Sequence, residues 1–119
     1  MKQVTIGERT VPALIQGCMR IGGMSKKEVQ ELIEKQLEFG VNFWDHADIY
    51  GGGVCETIFG EAINEMPGVR QKLILQSKCA IRPGDYTRYD FSKEYIFFLF
   101  LVFFLTSFSY ILKISFINL

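Results

Sequence analysis

Ionisable side chains follow directly after a short, mostly apolar run near the middle of the chain. Residues 41–44 form this run, Asp45 comes next, and Tyr50 follows five residues later. A carboxyl group and a phenol can both exchange protons with a bound molecule. If the run is a β-strand, both groups lie at its carboxyl end, which is the edge where α/β folds bind their ligands. The sequence therefore predicts a ligand site at this edge.

A helix is predicted immediately after these residues. Three glycines, residues 51–53, separate Tyr50 from a set of apolar positions with the spacing of one helix face. These positions are Cys55, Ile58, Phe59, Ala62 and Ile63. The local order of strand, loop and helix places the ionisable residues in the loop.

Strands and helices are predicted to alternate through the first 76 residues. The pattern indicates an N-terminal hairpin and then alternating strands and helices, at residues 4–11 (hairpin), 13–17, 25–40 (helix), 41–44, 55–63 (helix) and 73–76. Ser25 and Glu28 have the spacing of a capping box at the start of the first helix. A hairpin followed by β-α-β-α-β implies right-handed crossovers and a parallel sheet, so the predicted fold class is α/β.

Three segments together resemble the aldo-keto reductase family. The family signature is similar to the segment GVNFWDHADIYG with ETIFG after it. The family's second landmark, a lysine that ends a strand, is similar to Lys78 at the end of LILQSK. The end of the family's first barrel strand is similar to GCMR at residues 17–20. The resemblance covers about residues 2–96. It implies the N-terminal portion of a (β/α)8 TIM barrel and an oxidoreductase that reduces a small carbonyl substrate with NADPH.

The resemblance also implies roles for three residues. Tyr50 would give a proton to the carbonyl oxygen, Lys78 would stabilise the resulting phenolate, and Asp45 would keep the lysine charged and in place. A cation is needed because a free phenol has a pKa near ~10 and is a weak acid at neutral pH. Structural alternatives stay open for each residue taken alone: a turn residue for Asp45, a rim aromatic for Tyr50 and a solvated strand end for Lys78.

The resemblance assigns little of the cofactor site to this chain. Met19 and Arg20 match positions where the family contacts the nicotinamide region, and no metal is implied. The family's catalytic histidine lies on a fourth strand that the sequence does not contain, and its phosphate and adenine contacts come from later loops. His46, the single histidine, is adjacent to Asp45 and is predicted to face away from it, either packed or hydrogen-bonded to the backbone rather than catalytic. The chain is therefore predicted to be inactive by itself.

Length and composition limit the possible functions. A complete barrel needs roughly 250 residues, whereas this chain has 119 with a formal net charge of zero. A neutral chain gives no reason to expect a nucleic-acid partner. The three cysteines lack any CxxC spacing, which predicts neither a disulfide framework nor a zinc site and favours a reducing compartment. The family resemblance implies a cytoplasmic protein.

The composition changes abruptly at about Ile96. Residues 1–96 are interpreted as a barrel fragment and residues 97–119 as an apolar, helical tail that holds seven of the eleven phenylalanines and one charge, Lys113. One interpretation is a membrane anchor, because residues 95–112 are uncharged over about the minimum length of a transmembrane helix. In that case the protein is a membrane-associated binding module. The other interpretation is translation of intron or out-of-frame sequence. A third possibility for the whole chain is a fragment that pairs with a separately encoded remainder.

Overall fold

The N-terminus forms the predicted hairpin. The computed structural model describes residues 1–82, 84 and 87–106. Strand β1 (Gln3–Ile6) pairs antiparallel with β2 (Arg9–Pro12), with Val4 opposite Val11. Gly7 in the turn has a φ of 58°, which an L side chain adopts only with strain. The hairpin is exposed except at the end of β2.

Three parallel strands form the sheet that carries the candidate site. They are β3 (Gln16–Gly17), β4 (Phe43–Asp45) and β5 (Ile74–Gln76), in the spatial order β3-β4-β5. The predicted parallel arrangement is therefore confirmed, although β3 is shorter than the predicted strand. The Ile74 N–H donates to the Asn42 carbonyl over 2.8 Å, so Ile74 bonds towards β4. Among the described residues, no strand pairs with the outer edge of β5.

Two helices connect these strands. Helix α1 (Lys26–Glu38) starts with the predicted capping box, because the Ser25 side chain accepts from the Glu28 N–H while the Glu28 carboxylate accepts from the Ser25 N–H. Helix α2 (Val54–Asn64) begins directly after the three glycines. Because β3, α1, β4, α2 and β5 alternate along the chain, the α/β class predicted from the sequence is confirmed.

The core lies between the sheet and the two helices. Trp44 is fully buried, and its ring centroid is 5.1 Å from that of Phe59 on α2. The other buried members of the cluster are Cys18, Ile21, Val29, Ile33, Cys55, Ala62, Ile63, Val69 and Leu73. The predicted apolar face of α2 is thus buried, except that Ile58 is only partly covered. This packing fixes β4, and with it the residues that follow β4.

The chain after β5 contains a hairpin that the sequence did not predict. Strand β6 (Ile81–Arg82) pairs antiparallel with β7 (Arg88–Tyr89). Helix α3 (Lys93–Thr106) follows, and the Ser92 hydroxyl accepts from the Tyr95 N–H over 3.3 Å.

The described part of the apolar tail belongs to α3. Within residues 1–82, 84 and 87–106, no helix is both long and apolar enough to cross a membrane. Of the residues interpreted as a possible membrane anchor, 95–106 lie in α3. Residues 107–119, which make up the rest of the predicted helical tail, lie outside the described residues.

Candidate active site

Asp45 is the last residue of β4, as the sequence predicted. Successive strand residues point to opposite faces of a sheet, so Trp44 enters the core under α2 whereas the Asp45 side chain lies on the other face. Both Asp45 carboxylate oxygens accept hydrogen bonds from the Lys78 Nζ at 2.7 Å. The Gln76 side-chain amide donates to one of these oxygens over 2.8 Å. Asp45 is therefore held by side chains from the neighbouring strand segment.

Lys78 lies two residues beyond the end of β5, where its ammonium bridges several groups. Besides its two bonds to Asp45, the Nζ donates to the His46 carbonyl over 2.7 Å and lies 5.0 Å from the centroid of the Tyr50 ring. Burial alone would lower the pKa of the Lys78 ammonium, but the interactions with Asp45 and with the Tyr50 phenol outweigh it and raise this pKa above its usual value. The ammonium is thus kept protonated.

Tyr50 begins a short 3-10 turn, Tyr50–Gly53, between β4 and α2. Its N–H donates to the Ala47 carbonyl over 3.0 Å, and its side chain is partly buried. A lysine nitrogen within about 6 Å of an aromatic centroid is attracted by the electrons of the ring. The structure therefore brings Asp45, Tyr50 and Lys78 together, at the carboxyl ends of two adjacent parallel strands.

Met19 and Arg20 follow β3 at the same edge of the sheet. The Cys18 N–H donates to the Asp45 carbonyl over 3.0 Å, which places the start of this loop beside the end of β4. Met19 is 65% exposed, and Arg20 is also exposed. An accessible thioether and an accessible guanidinium suit one end of a nicotinamide dinucleotide, since they offer apolar contact and positive charge.

His46 is packed in the interior, as its position after Asp45 predicted. It is 4% exposed, and its ring centroid lies 4.6 Å from that of Phe59 in an edge-to-face arrangement. Neither ring nitrogen has a hydrogen-bond partner among the described residues. Burial lowers the pKa of His46 to about 4, with Asp45 acting against this effect and Lys78 adding to it. The His46 imidazole is therefore neutral at pH 7.

Other polar contacts around the site were not predicted. Gln76 could have been found, because it lies two residues before Lys78 and alternation places the two on one face. The Glu56 carboxylate accepts from the Ser77 hydroxyl over 2.5 Å. The Tyr95 hydroxyl donates to the Asp48 carboxylate over 3.1 Å. The latter two contacts join residues 21 and 47 positions apart, and no local pattern indicates them.

The cysteine thiols are free and do not form part of the reactive cluster. Burial, with a further contribution from Asp45, raises the pKa of the Cys18 thiol to about 12, so this group stays protonated and is a poor nucleophile. In the part of the chain that the structure describes, no group of three or more His, Cys, Asp or Glu side chains is arranged to bind a metal ion. The ionisable centre of the site is the lysine, carboxylate and tyrosine group.

Comparison with known proteins supports the family resemblance. A family model described as the aldo/keto reductase family matches residues 13–97, which include the whole lysine, carboxylate and tyrosine group. The chain belongs to the aldo/keto reductase family. In this family context, its three parallel strands correspond to the beginning of a TIM barrel, and it is related to oxidoreductases.

Individual relatives agree with this assignment. The chain is 38% identical to the uncharacterized oxidoreductase YcsN of Bacillus subtilis over 92 residues, covering 70% of this chain and 31% of YcsN. It is 34% identical to the aldo-keto reductase yakc [NADP(+)] of Schizosaccharomyces pombe over 77 residues, covering 61% of this chain and 22% of that protein.

A solved structure is similar to most of the fold. The holo form of an aldo-keto reductase from Bacillus halodurans matches with a TM-score of 0.71 and 28% identity, covering 90% of this chain and 36% of the other. The chain thus spans about a third or less of the length of these relatives.

Proposed function

We propose that this chain supplies the proton-transfer half of an NADPH-dependent carbonyl reductase. The observation that carries the proposal is the position of the Lys78 ammonium, which is bonded to both Asp45 oxygens at 2.7 Å and lies 5.0 Å from the centre of the Tyr50 ring. Few structural roles require a lysine, a carboxylate and a phenol to converge at the ligand-binding edge of a parallel sheet.

In the proposed reaction, Tyr50 donates its phenolic proton to the carbonyl oxygen of a small substrate. The fixed ammonium of Lys78 stabilises the phenolate that remains, since opposite charges attract strongly at a partly desolvated site. Asp45 keeps Lys78 protonated and oriented, and Gln76 orients Asp45 in turn. NADPH, when bound, supplies the hydride for the carbonyl carbon.

Met19 and Arg20 would hold the nicotinamide end of the cofactor. NADPH is favoured because the name of the S. pombe relative specifies NADP(+). The Bacillus halodurans relative was solved in a holo form, which supports binding of a cofactor. The remaining two thirds of these relatives have no counterpart in this chain. We therefore expect the 119 residues alone to bind NADPH weakly and to show no measurable carbonyl reduction.

The proposal includes the organisation and location of the chain. Residues 1–96 are the barrel-derived part and residues 97–119 an apolar tail; the end of the family match at residue 97 supports this division. A cytoplasmic location and a small carbonyl substrate are proposed on family membership. No nucleic-acid partner is proposed, because the net charge is zero.

The roles can be tested in a chimera that carries residues 13–97 of this chain in place of the matching segment of YcsN. The measurement is substrate-dependent loss of NADPH absorbance. Replacing Tyr50 with Phe removes the proton donor, and we expect kcat to fall by about 10²- to 10⁴-fold. Tyr89, which is 67% exposed, provides the matched control, because Tyr89→Phe should leave kcat unchanged.

Two outcomes would contradict the proposal. If the Tyr50→Phe chimera kept most of its kcat, Tyr50 would not be the proton donor. If the purified 119-residue chain itself oxidised NADPH in the presence of a carbonyl compound, the expected inactivity would be wrong.

A further inference from the structure

The connection between Tyr50 and helix α2 consists entirely of glycine. Gly51, Gly52 and Gly53 have φ values of 58°, 64° and 94°, all in the left-handed region. Glycine is the residue with the greatest backbone freedom, so backbone sterics restrain this connection weakly, although the Val54 N–H donates to the Tyr50 carbonyl. Contacts made after the glycines add to the positioning of α2.

Glu56, in the first turn of α2, makes such a contact. Its carboxylate accepts from the Ser77 hydroxyl over 2.5 Å, and Ser77 directly precedes Lys78. The bond lies in a partly buried region, and burial raises the pKa of Glu56 while the Ser77 hydroxyl acts against this rise. A hydrogen bond to a charged group is stronger than a neutral one, and more so away from water.

A second contact reaches the same segment from the other side of Tyr50. The Asp48 N–H donates to the Lys78 carbonyl over 3.0 Å. Tyr50 is therefore flanked in sequence by one bond to Ser77 and another to Lys78. With both bonds present, the loop that carries Tyr50 is attached on both sides to the segment that carries Lys78.

We propose that the Glu56–Ser77 hydrogen bond is a clamp that keeps the Lys78 ammonium against Asp45 and Tyr50. Glu56 and Ser77 are then positioning residues for the proton transfer, and this inference rests on the proposed function. Without the clamp, the packed core still holds α2 against the sheet, but the first turn of α2 loses its hydrogen bond to the residue before Lys78. Displacements of about 1 Å at a reacting group are enough to cost about 10²-fold in rate.

The clamp can be tested on the 119-residue chain by competitive labelling of its lysines with trace acetic anhydride, which reacts only with unprotonated amines. Labelling at each lysine is then read by peptide mass spectrometry. Lys27, whose side chain is 84% exposed on α1 and forms a longer, 3.8 Å surface ion pair with Glu31, serves as the reference amine. In the wild type, we expect Lys78 to be labelled less than Lys27, because its ion pair keeps it protonated.

Four variants separate the hydrogen bond from the charge. Ser77→Ala and Glu56→Ala remove the bond, and each should raise labelling of Lys78 by about threefold or more, since one pKa unit changes the free amine tenfold. Ser77→Thr keeps a hydroxyl donor and Glu56→Gln keeps an acceptor oxygen, so both should stay within about twofold of the wild type.

Lys26 provides the control for loss of the fold. Lys26, the first residue of α1, pairs with Glu65 at the C-terminal end of α2, so its labelling should rise when these helices separate. A parallel rise at Lys26 and Lys78 in Ser77→Ala would show a general structural role and overturn the proposal.

Three other results would also overturn it. They are unchanged labelling of Lys78 in Ser77→Ala, an equal rise in Glu56→Gln and Glu56→Ala, and a wild-type Lys78 that labels as fast as Lys27. Because the readout is the geometry at Lys78, the clamp can fail while carbonyl reduction by the chimera stands, and the reverse also holds.

Discussion

The buried histidine should make folding stability depend on pH near neutrality. His46 is 4% exposed, has no partner for either ring nitrogen among the described residues, and packs against Phe59. Its charged neighbours are Asp45 and Lys78, which act in opposite directions on its pKa. Burial dominates and lowers the pKa from 6.5 to about 4.

The sign and size of the effect follow from this lowered pKa. Well above pH 6.5, the imidazole is neutral in both the folded and the unfolded chain, so the free energy of unfolding is at its full value. As the pH falls below 6.5, the unfolded chain binds a proton that the folded chain rejects, and stability is lost until the pH passes about 4. Between about pH 7.5 and 5.5, the linkage relation gives a loss of about 1.4 kcal/mol. This value depends mainly on the unfolded-state pKa.

Urea denaturation followed by tryptophan fluorescence measures this loss. Trp44 is the only tryptophan and is fully buried, so its emission reports unfolding of the core. His46→Leu provides the control, because leucine fills an apolar site and does not titrate. We expect the wild type to lose about 1.4 kcal/mol between the two pH values and the variant to lose less than about 0.5 kcal/mol. Equal losses in the two proteins would refute the assignment of the pH dependence to His46.

Three further substitutions test the site and its supports through the same urea midpoints. Asp45→Asn removes the carboxylate that pairs with Lys78, and we expect the free energy of unfolding to fall by about 1 kcal/mol, because the pair is partly exposed. Acetic anhydride labelling of Lys78 should increase, and unchanged labelling would contradict the ion pair. Gly51→Ala places a side chain at a φ of 58° and should cost about 1–2 kcal/mol, whereas Gly23→Ala, with nothing within 4 Å of the added Cβ, should be neutral. Ser25→Ala deletes the capping box and should cost about 1 kcal/mol; no change in midpoint would show that the cap does not stabilise α1.

The parts of the fold that depend on local chemistry could be predicted from the sequence. The capping box requires only the spacing of Ser25 and Glu28, and both reciprocal bonds are present. Asp45, Tyr50 and Lys78 could be expected to meet, because residues that end neighbouring parallel strands share one edge of the sheet. Their roles in proton transfer came from the family resemblance and stay a prediction.

The remaining features depend on contacts that no local pattern specifies. Strands β6 and β7 contain two residues each, which is too short for alternation to be recognised. The Glu56–Ser77 bond requires a particular placement of α2 over the end of β5, and that placement is set by packing of the whole core. His46 could be predicted to be buried, but its lack of hydrogen-bond partners could not.

The hydrogen-bond register of β5 gives the strand two chemically different sides. Ile74 and Gln76 bond towards β4, since the Ile74 N–H donates to Asn42 and the Gln76 carbonyl accepts from His46. Alternation along the backbone turns the Leu75 amide to the opposite side, where no described strand pairs with it. In deuterated water, Ile74 should therefore exchange slowly and Leu75 quickly. A polypeptide that extended the sheet at this edge would slow exchange of the Leu75 amide and leave that of Ile74 unchanged. Exchange at Leu75 alone would therefore report the addition of a further strand to the sheet.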